Sequence, residues 1–322
     1  MTEGSRKEGI RLDYYNKLTD IVGTERVRRM EPMSTHTTFR IGGPADYFVM
    51  PGNENELAAV RKLARDNGVP TFLIGNGSNL LVADSGFRGI VIKLWKENEA
   101  VGMSESADNG TEYEKVRIPA GCSLARAAMQ VAERGLAGFE FAAGIPGTLG
   151  GAVVMNAGAY GGEIKDCIVS ARIMEEDGTI RNYSAEELKL GYRTSIIQGT
   201  DKVVLSADFR FKKDSKLLIL VRIEEMNRKR REKQPLEFPS AGSTFKRPEG
   251  YFAGKLIMDA GLAGFSVGDA QISTKHCGFA INTGNATCRD MKRLIAETTA
   301  RVEEQFGVRL EPEIRFLGSD ED

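Results

Sequence analysis

Two short segments carry side chains able to do chemistry on carbon. In Ser240-Ala241-Gly242-Ser243-Thr244-Phe245-Lys246 a hydroxyl follows directly on a glycine in a turn-forming stretch. A serine nucleophile needs a histidine and an acid beside it. The chain has only His36 and His276 and no G-x-S-x-G, so hydrolase chemistry is discounted. A serine can still donate a proton to carbon where the receiving centre is strongly basic; the competing reading is a plain turn serine. Glu311-Pro312-Glu313 sets a glutamate on each side of a proline. These charges either solvate a strand edge or, if Glu313 is buried, supply a carboxyl of raised pKa that donates a hydrogen bond.

Two glycine-rich stretches suit backbone approach to an anion. Ile74-Gly75-Asn76-Gly77-Ser78-Asn79-Leu80 follows an apolar run, and its glycines let N–H groups converge while Ser78 and Asn79 add donors, a nest for phosphate. The alternative is an ordinary polar turn. It is not a dinucleotide fingerprint, because Leu80 stands where the third glycine belongs and a strand follows in place of a helix. Seven of the nineteen residues 144–162 are glycine. That stretch lacks the Lys-Ser/Thr ending of a Walker loop, and ligand-lining backbone explains it better than a connector does. The basic run Arg228-Lys229-Arg230-Arg231-Glu232-Lys233 reads as a solvated helix face, a nucleic-acid patch or a grip on a diphosphate.

The elements that must position these residues follow from periodicity and turn chemistry. Leu18, Ile21 and Val22 share a helical face, with Val27 expected to prolong it. Residues 45–74 read as strand, helix, strand, a βαβ unit with parallel pairing, the helix opened by Asn53 and Glu56 in capping-box spacing and closed at Gly68. Short strands are expected at 80–82, 89–94 and 116–120, with a hairpin turn at Asn109-Gly110. Ser123 is expected to cap a helix burying Leu124, Ala127, Ala128, Val131 and Ala132. Strands at 168–174 and 203–211, a capping box and short helix from Ser184, a charged helix at about 214–233, a final helix from about 285–287 to Gly307 and a last strand over 308–317 complete the reading.

Composition bounds the class. The 322 residues carry 44 Lys and Arg against 45 Asp and Glu, a net charge of −1, which makes no general polyanion binder. With that charge no nucleic-acid partner is expected, and with no run of about 18 apolar residues no membrane partner is expected either. Cys122, Cys167, Cys277 and Cys288 form no C-x-x-C pair, so no metal is expected; with a polar N-terminus they read as reduced thiols of a cytoplasmic protein.

The order of Thr37-Thr38-Phe39-Arg40-Ile41-Gly42-Gly43, the stretch from Gly75 to Leu80, Ala143-Gly144-Ile145-Pro146-Gly147 through Asn156-Ala157-Gly158-Ala159-Tyr160-Gly161, Gly191-Tyr192-Arg193, Gln234-Pro235, Ser240 to Ser243 and Glu311 to Glu313 resembles the UDP-N-acetylenolpyruvoylglucosamine reductases (MurB) from about Thr35 to Leu317. The short connection from Arg193 to the strand at 203 looks like the type II branch. The resemblance implies an α+β fold: an FAD-binding fold of the vanillyl-alcohol-oxidase (PCMH) type in two subdomains, about 35–95 and 96–213, after an N-terminal segment 1–34, and a C-terminal α+β substrate-binding domain, 214–322.

It further implies a monomer with one non-covalent FAD and NADPH as reductant. The substrate would be a UDP-linked amino-sugar enolpyruvyl ether. The catalytic residues would be Ser243, Arg193 and Glu313. FAD would meet Gly42, the run Ile74, Gly75, Asn76, Gly77, Ser78, Asn79 and Leu80, then Gly121, and Ala143, Gly144, Pro146, Gly147, Gly150, Gly151 and Ala152. Substrate would meet Asn156, Tyr160, Tyr192, Arg230, Lys233, Gln271 and Asn282. The competing expectations are an oxidase of the same fold, with flavin tethered at His36, and a non-catalytic nucleotide-sugar or nucleic-acid binder using 228–233.

Overall fold

The computed structural model describes residues 14–94, 102–103 and 112–319; the expected turn at Asn109-Gly110 lies outside them. The first helix, α1 (14–22), buries Leu18 and Val22 at four-residue spacing. Val27 does not prolong it: Gly23, at φ 86°, turns the chain, and Val27 opens a strand.

The elements that follow are β1 (Val27–Pro32), β2 (Pro44–Val49), α2 (Glu54–Asp66), β3 (Thr71–Ile74), β4 (Leu80–Val82), β5 (Phe87–Lys93) and β6 (Gly102–Met103). Next come β7 (Tyr113–Pro119), α3 (Leu124–Glu133), β8 (Leu136–Ala137), α4 (Leu149–Met155), β9 (Gly158–Ala159), β10 (Gly162–Glu163), β11 (Ile168–Met174), β12 (Ile180–Ser184) and β13 (Val203–Lys213). The chain ends with α5 (Lys216–Lys233), α6 (Ala253–Asp259), β14 (Ser266–Val267), β15 (Ala270–Ile272), β16 (Ala280–Asn282), α7 (Cys288–Phe306) and β17 (Arg315–Leu317).

By backbone contacts the chain divides into two units, each discontinuous: residues 1–27, 49–75 and 92–230, and residues 28–48, 76–91 and 231–322. The first is built on a six-stranded sheet of order β12-β11-β13-β7-β6, with β8 beside β13. Both α3 and α4 pack on it, and α3 buries the five residues of the expected stripe. Ile219 and Ile223 of α5 pack with Ala132 of α3, so 214–230 groups here and not with the C-terminal segment in which it was expected.

The second unit buries Phe39, Ile41 and Leu81 with α6, α7 and the sheet β14-β15-β16. There β4 and β17 pair in parallel, Leu80 opposite Arg315. Strand β2 lies between β1 and β5, so it does not pair directly with β3 as the expected βαβ unit required. The Ser184–Glu187 capping box forms, with Glu187 N–H donating to Ser184 Oγ at 3.2 Å, yet only turns follow it and no helix.

Candidate active site

Arg193 occupies a turn of the first unit. Gly191 and Thr194 exchange backbone hydrogen bonds of 3.1 and 3.3 Å, which forces Arg193 into the left-handed region at φ 55°. Its Nη2 donates to the Gly158 carbonyl at 3.3 Å, and its guanidinium lies 5.3 Å from the Tyr192 ring centre. Tyr192 itself is exposed.

In the same unit the two glycine-rich stretches meet. A Cβ added at Gly75 would strike the Thr148 hydroxyl and lie 3.2 Å from its Cγ2. Thr148 is the N-cap residue of α4, so the glycines at 150 and 151 are the first turn of a helix, not loop. Gly150 is pressed against Ala120, 3.0 Å from its Cβ, whereas Gly151 is exposed and faces open space beyond Thr148. Gly144 abuts Arg230, whose Nη1 donates to the Gly144 carbonyl and whose guanidinium lies 5.7 Å from the Tyr160 ring centre. Arg230 Nε is buried with no hydrogen-bond partner, and burial lowers the Arg230 pKa from its ordinary value. Tyr160 is exposed and held at φ 53° in the turn between β9 and β10. A guanidinium with an unpartnered Nε, an open glycine on a helix's first turn and hydroxyl donors form a donor set that fits the diphosphate of FAD or of a nucleotide sugar.

The second unit gathers Ser243, Glu313 and the end of the first glycine loop. Glu313 N–H donates to the Thr244 carbonyl at 2.8 Å, and Lys246 N–H donates to the Glu311 carbonyl at 2.8 Å, so the serine and glutamate segments run side by side. Asn79 closes the group: its Nδ2 donates to the Glu313 carbonyl at 3.2 Å, and its carbonyl accepts Arg315 N–H at 3.0 Å. Ser243 is exposed and Glu313 half-buried. Gly77, at φ 61°, allows the loop to press on residues 36–37; a Cβ there would meet the His36 carbonyl oxygen and lie 2.9 Å from Thr37 Cα. Gly42 is likewise tight, with a Cβ falling 2.7 Å from Val82 Cβ.

Several expected contacts take interior roles. Asn156 is fully buried, and its amide is spent on the Glu163 carboxylate, the Gly191 carbonyl and Lys165 N–H. Asn282 is 3% exposed and bonds the Phe39 carbonyl and the N–H groups of Gly284 and Ala286. Both side chains are thus engaged in holding the protein framework. Ile74, Leu80 and Ala152 are buried as well, leaving only backbone for a ligand. Asn76, Ser78, Gly121, Ala143, Gly147 and Gln271 are half-buried; Pro146 and Lys233 are exposed, Lys233 at the end of α5. His36, imagined as a flavin tether, is stacked on Phe48 with ring centres 4.0 Å apart and engages Glu31 at 2.8 Å. Nothing in the sequence assigned a role to Thr148, Gln198 or Thr244, since lone residues in loops carry no spacing signal. Among the described residues no group of three or more His, Cys, Asp or Glu could hold a metal, and no helix is long and apolar enough to cross a membrane.

The family model described as an FAD binding domain matches residues 45–184, which with the α+β fold and the glycine-bounded donor set defines an FAD-dependent oxidoreductase. The model of the UDP-N-acetylenolpyruvoylglucosamine reductase C-terminal domain matches residues 234–317. A UDP-N-acetylenolpyruvoylglucosamine reductase of Lachnoclostridium phytofermentans is 54% identical over 94% of this chain and 96% of its own length. One from Agathobacter rectalis is 52% identical over 89% of this chain and 93% of its own. The crystal structure of the reductase from Thermus caldophilus aligns with a TM-score of 0.75 at 35% identity, covering 91% of this chain and 99% of that one. The chain belongs to the UDP-N-acetylenolpyruvoylglucosamine reductase family.

Proposed function

We propose that the protein reduces the enolpyruvyl group of UDP-N-acetylglucosamine-enolpyruvate to the lactyl ether of UDP-N-acetylmuramate, a cytoplasmic step of peptidoglycan synthesis, with NADPH as reductant. What carries the reading, beside the names of the relatives, is the Glu313 N–H to Thr244 carbonyl bond, which sets Ser243 and Glu313 on adjacent segments. The hydride for the methylene carbon is the chemistry that non-covalently bound FAD supplies, at the expense of NADPH. Conjugate addition then drives charge onto the substrate carboxylate and gives an enolate of dianionic character.

Arg193 binds that carboxylate through its guanidinium. Glu313 in its protonated form adds a neutral donor to the same enolate. Ser243 Oγ gives its proton to the carbon next to the carboxylate; a hydroxyl is so weak an acid that only this strongly basic carbon draws it off. Arg230, Tyr160, Tyr192, Lys233 and Gln271 serve the nucleotide-sugar part. The test is product stoichiometry without oxygen. One NADPH should disappear per lactyl ether formed, and acid should release all flavin from the protein. NADPH consumption that requires oxygen, or flavin remaining with the acid precipitate, would point to an oxidase instead.

A further inference from the structure

The turn that carries Arg193 is gripped from both sides by side-chain amides. Asn156 Nδ2 donates to the carbonyl of Gly191, two residues before Arg193, at 2.9 Å. Gln198 Nε2 donates to the carbonyl of Arg193 itself at 2.7 Å. Both grips are anchored in one place. Asn156 ends α4 in the left-handed conformation at φ 43°, and its amide also holds Glu163 and Lys165 across the β9–β10 hairpin. Gln198 Nε2 also contacts the Val154 carbonyl, while Ser195 Oγ donates to that same carbonyl at 2.7 Å. A non-glycine residue at positive φ is disfavoured by about 1–2 kcal/mol, so Arg193 keeps its conformation only because its neighbours impose it.

We propose that Gln198 and Asn156 are positioning residues for Arg193: by fixing the carbonyls of residues 193 and 191 they aim the guanidinium at the substrate carboxylate. The proposal rests on the role given above to Arg193. The two residues do separate jobs on one turn. Gln198 sets the peptide leaving Arg193, and Asn156 ties the entry of the turn to the end of α4, beside the Gly158 carbonyl on which the guanidinium rests. A carboxylate clamp displaced by about 1 Å loses about 10²-fold in rate, so loss of either grip should show in catalysis before it shows in folding.

Two variants separate aim from stability. Gln198→Met keeps the length of the side chain and removes its donors. Asn156→Asp combined with Glu163→Gln exchanges donor and acceptor between 156 and 163, keeping that bond while removing the donation to Gly191. Each should retain full flavin content and a normal rate of flavin reduction by NADPH. Reoxidation by the enolpyruvyl substrate should slow by about 10- to 10²-fold, and the substrate Kd, read from perturbation of the flavin absorption, should rise. Adding Gln198→Met to Arg193→Ala should cost nothing further, because the group being aimed is gone.

Normal reoxidation in Gln198→Met beside a slow Arg193→Ala overturns the proposal and leaves the role of Arg193 standing. Equal losses from Gln198→Met in both backgrounds, or a matching loss in flavin reduction, also overturn it, since a structural residue behaves that way. Normal reoxidation in Arg193→Ala removes the role of Arg193 on which the proposal rests.

Discussion

Glu313 and Thr244 share a backbone hydrogen bond of 2.8 Å, donated by Glu313 N–H to the Thr244 carbonyl. The residue after Ser243 is thereby tied to Glu313, although the two positions lie 69 apart in the sequence. The bond uses main chain only, so it depends on neither the Ser243 nor the Glu313 side chain.

Gly77 tests the first glycine loop. Valine there meets the His36 carbonyl and must adopt φ near 61°, a region that branched side chains avoid. Gly77→Val should purify with little or no flavin, seen as a collapsed visible-to-ultraviolet absorbance ratio. Gly178→Ala makes the control: its φ is 93° but nothing lies within 4 Å, so strain arises without a clash and flavin should remain. Full flavin content in Gly77→Val would remove the loop from the cofactor site.

Arg230 should act on the UDP substrate. Its guanidinium is held between the Gly144 carbonyl and Tyr160 with Nε unpartnered. A charge-assisted hydrogen bond is worth about 1.5–3 kcal/mol, or about 10- to 10²-fold. Arg230→Ala should raise the KM for the UDP substrate by that factor while flavin reduction by NADPH changes little. Equal damage to both half-reactions would assign Arg230 to the fold.

Two helix caps should differ in worth. Thr287 accepts Asp290 N–H and Asp290 returns the bond, a complete capping box at the start of α7. Ser123 heads α3 with no side-chain cap bond. Thr287→Ala should cost about 1 kcal/mol and Ser123→Ala less than about 0.5 kcal/mol, read from urea midpoints. Equal losses would contradict the cap geometry.

His276 should leave a mark on the acid side of the stability profile. Burial holds its pKa below the ordinary 6.5, and its Nδ1 accepts Gly278 N–H at 3.1 Å. The unfolded chain therefore binds a proton there more readily than the folded one. That stability is fully present above about pH 6.5 and falls as the pH drops towards the folded pKa. His276→Gln should flatten the decline of the urea midpoint between about pH 7 and pH 5.5. An unchanged slope in the variant would exclude His276 as its source.

The legible parts of this fold are those where local chemistry and burial agree. In α2 and α7 the caps Asn53 and Thr287 and the buried stripes Leu57, Val60, Ala64 and Met291, Leu294, Val302 coincide with the helices the sequence called for. Where tertiary contacts decide, the sequence misleads. The Ser184 capping box forms without a helix, because the chain turns through 185–189 to bring Ile196 N–H to the Leu188 carbonyl. The last strand shrinks from 308–317 to three residues, since only Arg315–Leu317 find a partner in β4.

The glycines of 144–162 looked uniformly like ligand-facing backbone. Gly150, Gly158 and Gly162 instead admit the protein's own Ala120, Glu163 and Phe141, each so close that a Cβ would lie 3.0, 2.7 and 2.6 Å away. Asn156 belongs to the same lesson. Its residue type and neighbours suit a substrate ligand, and only its burial reveals a framework amide.

The most direct measurement is the anaerobic reoxidation of NADPH-reduced protein by the enolpyruvyl substrate, followed by flavin absorbance in the wild type and in Ser243→Ala. NADPH should bleach the flavin of both at similar rates. Substrate should restore the wild-type spectrum with formation of the lactyl ether, and should restore that of Ser243→Ala at least about 10²-fold more slowly, as loss of a general acid demands. A wild-type spectrum that substrate leaves bleached would contradict the proposed reaction, and a Ser243→Ala spectrum that recovers at the wild-type rate would contradict the assignment of the proton to Ser243.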